Sequence, residues 1–463
     1  MTRRVRTLLL ANRGEIACRV IRSARSLGLR TVAVYSEADA NAMHVALADS
    51  AIAIGGAKPA DSYLRVAAIL DAARDSHADA VHPGYGFLAE NEDFAEAVQS
   101  AGLVWVGPDP KTMQDMGDKE RARLLAKAAG VPVLPGSARF APGDLDGLED
   151  AADDVGYPLL VKASAGGGGI GMRLVEDPAG LRKTVEATQG LAARSFGDGT
   201  VFLERYVRQA RHVEMQVFGF GDGHAVHCFE RECSIQRRFQ KIVEESPSPG
   251  LSADAAHAMA AAATALVKQE RYRSAGTIEF VLDDDTGAFY FLEMNTRIQV
   301  EHPVTEMLTG LDLVAMQLRL AMGEPLGDAL HQDDVRRGGH AIEVRICAEN
   351  PAKMFLPSPG RITKLALPAA GDGVRVDTGV REGDTVTPYY DSLLAKLIVH
   401  AADREAAVGK MLAALDATAI EGIATNVAFL RRVIDHAAFR AGRTLTGFVD
   451  AHKADLIGER GPG

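Results

Sequence analysis

The stretch "GTIEFVLDDDTGAFYFLEMNTRIQVEHPVTE", residues 276–306, constrains the fold of this chain more than any other. Two runs rich in β-formers flank "DDDTG", a turn sequence, so they should lie side by side as antiparallel strands. That pairing brings Glu279 on the first run within reach of Glu293 on the second. Extended backbone past Glu293 would put Glu293, Asn295, Arg297, Gln299 and Glu301 on one face and Met294, Ile298 and Val300 on the other. Two carboxylates so close call for a cation. Magnesium, which takes a few carboxylates and leaves its remaining positions to water and phosphate oxygens, suits Glu279, Glu293 and Asn295. A solvated outer strand face is the competing reading of the pattern.

The rest of the chain reads as α/β. "TLLLANRGEIACRVIRSARSLGL" is a short strand, a turn and a helix with Ile16, Val20, Ala24 and Leu27 on one side, and "TVAVYS" is the next strand. Further strands in front of "HPGYGF" and at "LVWVGP" close a first domain, residues 1–106, and a Pro/Gly-containing linker covers 107–134. A second unit, 135–205, holds "LLVKASAGGGGIGMRLVE". Gly166, Gly168 and Gly171 satisfy G-x-G-x-x-G, but the "MRLVE" after them is strand-like rather than helical, so the glycines read as a hairpin tip and not a dinucleotide fingerprint. No Lys-Ser or Lys-Thr comes after the last glycine, which excludes a Walker loop. A glycine tip beside Lys162 can fold over a nucleotide, its bare N–H groups meeting phosphate; a flexible surface turn is the plain alternative. Alternating strands fill 206–463, with an alanine-rich helix, "SADAAHAMAAAATALVKQE", between them.

Composition narrows the function. With 463 residues, two or three packed units are expected. No run approaches a bilayer span, and the basic N-terminus is interrupted by Arg13 and Glu15 too early for a signal peptide, so neither a membrane nor export is expected. Four cysteines without a C-x-x-C pair support neither a disulfide framework nor a zinc knuckle, which fits the cytoplasm. A net charge of −11 disfavours a nucleic-acid partner.

The set "MGDK", "KAS-x-GGGG", "RHVE", "QRR-x-QK", "EMNTRIQVEHPVTE", "HPGYGF" and "FLPSPG" resembles the biotin carboxylase family within the ATP-grasp superfamily, over nearly the whole chain. The resemblance implies a Rossmann-like N-terminal domain, a glycine-flap lid and a C-terminal mixed α/β domain completing the ATP-grasp site. It also implies ATP-dependent carboxylation of biotin by bicarbonate through carboxyphosphate. On that likeness Lys119, Lys162, Gly168 and Gly169 hold the nucleotide phosphates, Glu204 to Val207 form the adenine hinge, and His212, Gln236, Gln299 and Val300 add nucleotide or substrate contacts. Glu279, Glu293 and Asn295 match ligands of Mg²⁺ (or Mn²⁺), Lys241 and Arg297 the bicarbonate clamp, Glu301 the general base and Arg345 the arginine that stabilises the biotin enolate. Two departures stand out: Ile170 where the family usually has a basic residue, and Phe239 where it usually has a histidine.

The biotinyl lysine of this family sits in a Met-Lys-Met-like motif, and no Met-Lys dipeptide occurs in the chain. The resemblance therefore implies a separate biotin carboxyl carrier protein and separate carboxyltransferase subunits, within an acetyl-CoA or other acyl-CoA carboxylase, and a homodimer. The alternatives are a pyruvate carboxylase subunit, another ATP-grasp ligase that activates a different carboxylate, and a regulatory nucleotide-binding subunit that has lost catalysis.

Overall fold

The computed structural model describes residues 5–164, 171–237 and 240–457. Short apolar strands alternating with helices at the N-terminus close a parallel sheet through crossovers. Strands β1 (Thr7–Leu10), β2 (Arg30–Ser36), β3 (Ser50–Gly55), β4 (Ala80–His82) and β5 (Val104–Trp105) take the order β3-β2-β1-β4-β5. Helix Gly14–Ser26 buries Ile16, Val20 and Ala24 as its pattern predicts. The sheet reverses its order between β1 and β4, the place where such sheets open a crevice. There the Asn12 amide donates to the carbonyls of Pro83 and Tyr85, both at 2.7 Å, tying the two loops together. Gly84 between them has φ +65°, and a Cβ would meet Asn12 Nδ2 at 2.9 Å, so a side chain would push the loops apart.

Residues 107–134, read from the sequence as a linker, carry two helices, Pro110–Gly117 and Lys119–Ala128. Pro110 opens the first, and the Asp118 side chain caps the second by accepting from Arg121 N at 2.9 Å. The Gly and Pro of "KAAGVPVLPGS" mark where the second helix stops.

The next unit is a small two-layer sandwich of one sheet and two helices, Leu148–Val155 and Leu181–Phe196. Strands β6 (Gly136–Phe140), β7 (Leu159–Ala163), β8 (Met172–Val175) and β9 (Val201–Arg205) form an antiparallel sheet in the order β6-β9-β7-β8. Leu148, Leu159, Val161, Val185 and Leu203 belong to a core of its own. Strands β7 and β8 are the expected hairpin, pairing Lys162 with Met172. Gly166, Gly168, Gly169 and Ile170 lie outside the described residues, as does Phe239.

The remaining chain builds one eight-stranded antiparallel sheet. Strands β10 (Ala210–Phe220), β11 (Ala225–Arg237), β12 (Gln240–Ser246), β13 (Arg273–Asp283), β14 (Phe289–Asn295) and β15 (His340–Cys347) take the order β14-β13-β10-β11-β12-β15, continued by Leu393–Ala401 and Val374–Thr378. The alanine-rich helix Ala253–Gln269 forms, capped by Ser252. Its buried face packs with Val213, Met215 and Ile278 of the sheet. Leu8, Ile16 and Val20 of the first unit share a core with Phe218, Phe220 and Leu313, which fixes the crevice of the parallel sheet against the large one. One expectation is corrected here. Strand β14 ends at Asn295, and Glu301 is the residue before helix His302–Thr309, so the polar face does not continue as strand. Pro303 has no N–H for a ladder and favours a helical first turn. No helix among the described residues is long and apolar enough to cross a membrane.

Candidate active site

Six consecutive strands of the large sheet, β14-β13-β10-β11-β12-β15, and one loop bring the charged groups together. Glu279 on β13 sits in register with Glu293 on β14 and with Glu214 on β10, the first of these being the pairing expected from the turn. From β12, two strands beyond β10, Lys241 reaches across and donates to Glu214 Oε2 at 2.5 Å, Glu279 Oε1 at 2.7 Å and Glu301 Oε1 at 2.8 Å. Beneath them Arg231, fully buried, donates to Glu214 Oε1 at 2.5 Å and to Gln216 and Thr305. Burial opposes a charge on Lys241, but Glu214, Glu279 and Glu301 win and hold its pKa well above the lysine range.

Glu301 has no exposed surface. Burial alone would raise its pKa, yet Lys241, Arg345 and Arg231 hold it well below the usual carboxylate range. Arg345, on β15, donates through Nη2 to Glu301 Oε2 at 3.0 Å and through Nε to Glu244 Oε1 at 2.7 Å. No acceptor among the described residues takes its Nη1.

The carboxylate pair is asymmetric. Against the cost of burial, Lys241 and His212 pull the pKa of Glu279 far down; His212 Nε2 lies 2.8 Å from Glu279 Oε2, while its Nδ1 is 2.8 Å from Gln236 Nε2. Asn295 and Gln299 donate to Glu279 Oε1 at 2.9 and 3.2 Å. No donor among the described residues reaches the Glu293 carboxylate, and its pKa is raised, by burial and then by Glu279, with the Lys119 charge opposing. Two oxygen donors, one of them lacking a partner and repelled by the other, are a fit for a hard divalent cation. Arg297 donates to Gln299 Oε1 at 2.7 Å and Asn295 Oδ1 at 3.0 Å, and its Nε lies 2.9 Å from Glu90.

A cavity of about 530 Å³ is lined by His212, Lys241, Glu279, Glu293, Asn295, Arg297, Gln299, Val300, Glu301 and Arg345, together with Tyr85 and Glu15 from the N-terminal crevice. A second cavity of about 200 Å³ opens between the small sandwich and the large sheet and is lined by Lys162, Glu204, Val207 and, again, His212. There Lys162 donates to Glu204 Oε1 at 2.6 Å, both side chains partly exposed. Lys119 and Gln236 line neither cavity; Gln236 acts on His212, and Lys119 acts on Glu293 through its charge. The Val300 carbonyl accepts from the buried Lys396 at 2.7 Å, which pins the loop before Glu301. Sequence reasoning passed over Glu214, Arg231, Glu244 and Lys396. Only Glu214 had a visible signal, as the last residue of "RHVE"; Lys396 is a lone charge in an apolar strand, and Arg231 and Glu244 stand beside other charged residues that give no sign of which one turns inward.

Comparison with known proteins shows the family. Residues 4–113 match the biotin carboxylase N-terminal domain, 118–329 the ATP-binding domain of the carbamoyl-phosphate synthase L chain, and 343–451 the biotin carboxylase C-terminal domain. Biotin carboxylase 1 of Bacillus subtilis is 47% identical over 98% of this chain and 100% of its own length. The chain belongs to the biotin carboxylase family. That family's three-domain ATP-grasp architecture is the fold described above. The biotin carboxylase domain dimer of Hydrogenobacter thermophilus 2-oxoglutarate carboxylase, solved with MgADP, ADP and bicarbonate, superposes with a TM-score of 0.90 at 44% identity, covering 99% of this chain and 100% of that one. The alpha subunit of Glycine max mitochondrial methylcrotonoyl-CoA carboxylase is 48% identical over 98% of this chain, which spans 62% of that relative's length.

Proposed function

We propose that this chain carboxylates biotin with ATP, magnesium and bicarbonate, as the first half-reaction of an acyl-CoA carboxylase. The observation that carries the reading is Lys241 on Glu214, Glu279 and Glu301 at 2.5–2.8 Å, one cation joining the metal-type carboxylates to a buried base. ATP would lie across both cavities, with Lys119 and Lys162 on its phosphates, Glu204 to Val207 at adenine and His212 where the cavities meet. Glu279 and Glu293, with Asn295 beside them, would hold magnesium, which neutralises phosphate charge when bound. Lys241 and Arg297 would clamp bicarbonate.

Glu301 then accepts the bicarbonate proton. Held ionised at rest, it is ready to do so; when Lys241 turns to the incoming anion, Glu301 loses a cationic partner and its proton affinity rises. Bicarbonate oxygen attacks the γ-phosphorus to give carboxyphosphate and ADP. Carboxyphosphate then gives CO₂ and phosphate, the phosphate takes the ureido proton of biotin, and the ureido nitrogen adds to CO₂; Arg345 keeps two nitrogens on Glu244 and Glu301 and offers the remaining one to the oxygen of biotin as negative charge develops there.

The carboxyl acceptor resides on a partner. Relatives named for methylcrotonoyl-CoA and pyruvate carboxylases match this chain at 48% and 47% identity, so one carboxylating unit serves different acceptors, acetyl-CoA among those proposed. A carrier protein and carboxyltransferase on separate chains, a homodimer, and a cytoplasmic setting complete the proposal. Measuring ADP release with and without bicarbonate tests it: bicarbonate-dependent cleavage, stimulated by free biotin, is expected. Equal rates with and without bicarbonate would leave the regulatory-subunit reading, and dependence on another carboxylate would indicate a different ligase.

A further inference from the structure

The cluster beneath Arg345 contains a carboxyl group with no role in the chemistry above. Glu343 is two residues before Arg345 on β15, on the same face of the strand, and is fully buried. Neither of its oxygens has a hydrogen-bond partner. The cations that face it are engaged elsewhere. Arg345 donates to Glu244 and Glu301, and Lys396, from the strand Leu393–Ala401, donates to the Val300 carbonyl and lies 3.3 Å from Glu15. An ionised carboxylate without a donor in such a place is among the most costly arrangements a protein can hold. The residue opposite Glu343 on β12 is Glu244, whose Oε2 is likewise buried and without a partner, while its Oε1 accepts from Arg345. Cross-strand neighbours of this kind have Cβ atoms about 4.5–5.5 Å apart, within carboxyl reach.

We propose that Glu343 and Glu244 form a buried acid pair that shares one proton, and that this pair positions Arg345. The proton satisfies oxygens that otherwise have no partner and leaves a single negative charge to hold the guanidinium, so that Arg345 is aligned without an excess anion that would repel Glu301. The direction of the pKa shifts agrees. Burial first, then Glu244 and Glu301, raise Glu343 well above the carboxylate range against Lys396 and Arg345, and burial and Glu301 raise Glu244 to about 7 against Arg345 and Lys241. Glu343 is a positioning residue in this scheme, acting through Glu244 and Arg345.

The role in positioning rests on the reading of Arg345 as the group that serves biotin; the protonation does not. Infrared spectroscopy of the wild-type chain at neutral pH, where exposed carboxyls are ionised, should show a protonated-carboxyl C=O band that Glu343→Gln removes. Kinetically, Glu343→Leu should lower kcat/KM for free biotin about 10-fold, the low end for losing an orienting partner, with KM for MgATP unchanged. Glu343→Gln, whose amide can donate to Glu244, should restore most of that loss and abolish the alkaline decline in kcat/KM for biotin that loss of the shared proton produces. A band unaffected by Glu343→Gln, or a Glu343→Leu variant with wild-type biotin kinetics, would overturn the proposal. Absence of bicarbonate-dependent ATP cleavage in the wild type would sink the functional reading instead, and the infrared band would still decide whether the pair holds its proton.

Discussion

The small sandwich and the large sheet each present a lysine on a glutamate, and the two pairs behave differently. Lys162 meets Glu204 at 2.6 Å with side chains 23% and 17% exposed, on strands of a unit that has its own core. Lys241 meets three glutamates that are 0–7% exposed, two on strands β10 and β13, whose Phe218 and Ala275 share a core with the N-terminal unit, and one, Glu301, on the loop before a helix. A pair partly exposed to water is worth little and exchanges partners at small cost, which suits the proposed transfer of Lys162 from its glutamate to a phosphate. A buried cluster is costly to assemble and more costly to unbalance, which suits carboxylates that the proposed reaction needs in place from the start. On the proposed roles, similar side chains make a clamp in one place and a preorganised centre in the other.

That contrast can be broken by substitution. The largest effect is expected from Glu301→Gln, which should lower bicarbonate-dependent ADP release by about 10²–10⁴-fold with or without biotin, the scale of a lost general base; Arg345→Ala should cost about 2–4 kcal/mol in biotin carboxylation yet bind MgATP nearly as wild type. If the two variants show identical profiles with and without biotin, at least one role is misassigned. Lys241→Met should destabilise the fold by about 3–5 kcal/mol in chemical denaturation, because three buried carboxylates lose their common cation. The matched change Lys162→Met should alter stability by only about 0.2–1 kcal/mol while weakening MgATP binding in calorimetry. Equal stability losses from the two would erase the distinction between clamp and centre.

The acidic pair sharpens it further. Glu293 has a raised pKa, so its ionised form destabilises the metal-free fold at neutral pH, an effect relieved as pH falls through that pKa. Glu293→Gln should therefore raise metal-free stability by about 1 kcal/mol at neutral pH and remove the stabilisation by magnesium. Glu301, whose pKa is lowered, carries the opposite sign: its contribution is present above the unfolded value near ~4.3 and is lost only as pH falls through its depressed folded value. Thermal unfolding at several pH values, with and without Mg²⁺, reads both.

Much of this was legible locally. The Glu279–Glu293 pairing came from turn chemistry and strand alternation, and the β7–β8 hairpin from the strand-like "MRLVE" after the glycines. The helices in 107–134 were hidden because a capping Asp118 and short buried faces leave a weaker pattern than the flanking Gly and Pro. Carrying the alternation through to Glu301 failed because "EHP" opens a helix, which delivers Glu301 to the cluster from a loop.

What the sequence determined by itself depends on near neighbours: the βαβ opening, the hairpins, the capped alanine-rich helix, and the motifs that carry the family resemblance. The tertiary structure alone decided which charges meet. Lys241 joins residues 27, 38 and 60 positions away, and Arg345 joins Glu244 at 101. Strand order and register set those meetings, and strand order is chosen by how all the cores pack together. The same packing removes water, and only in that low-dielectric interior do ordinary Glu, Lys and Arg side chains acquire the shifted proton affinities on which the proposed chemistry rests.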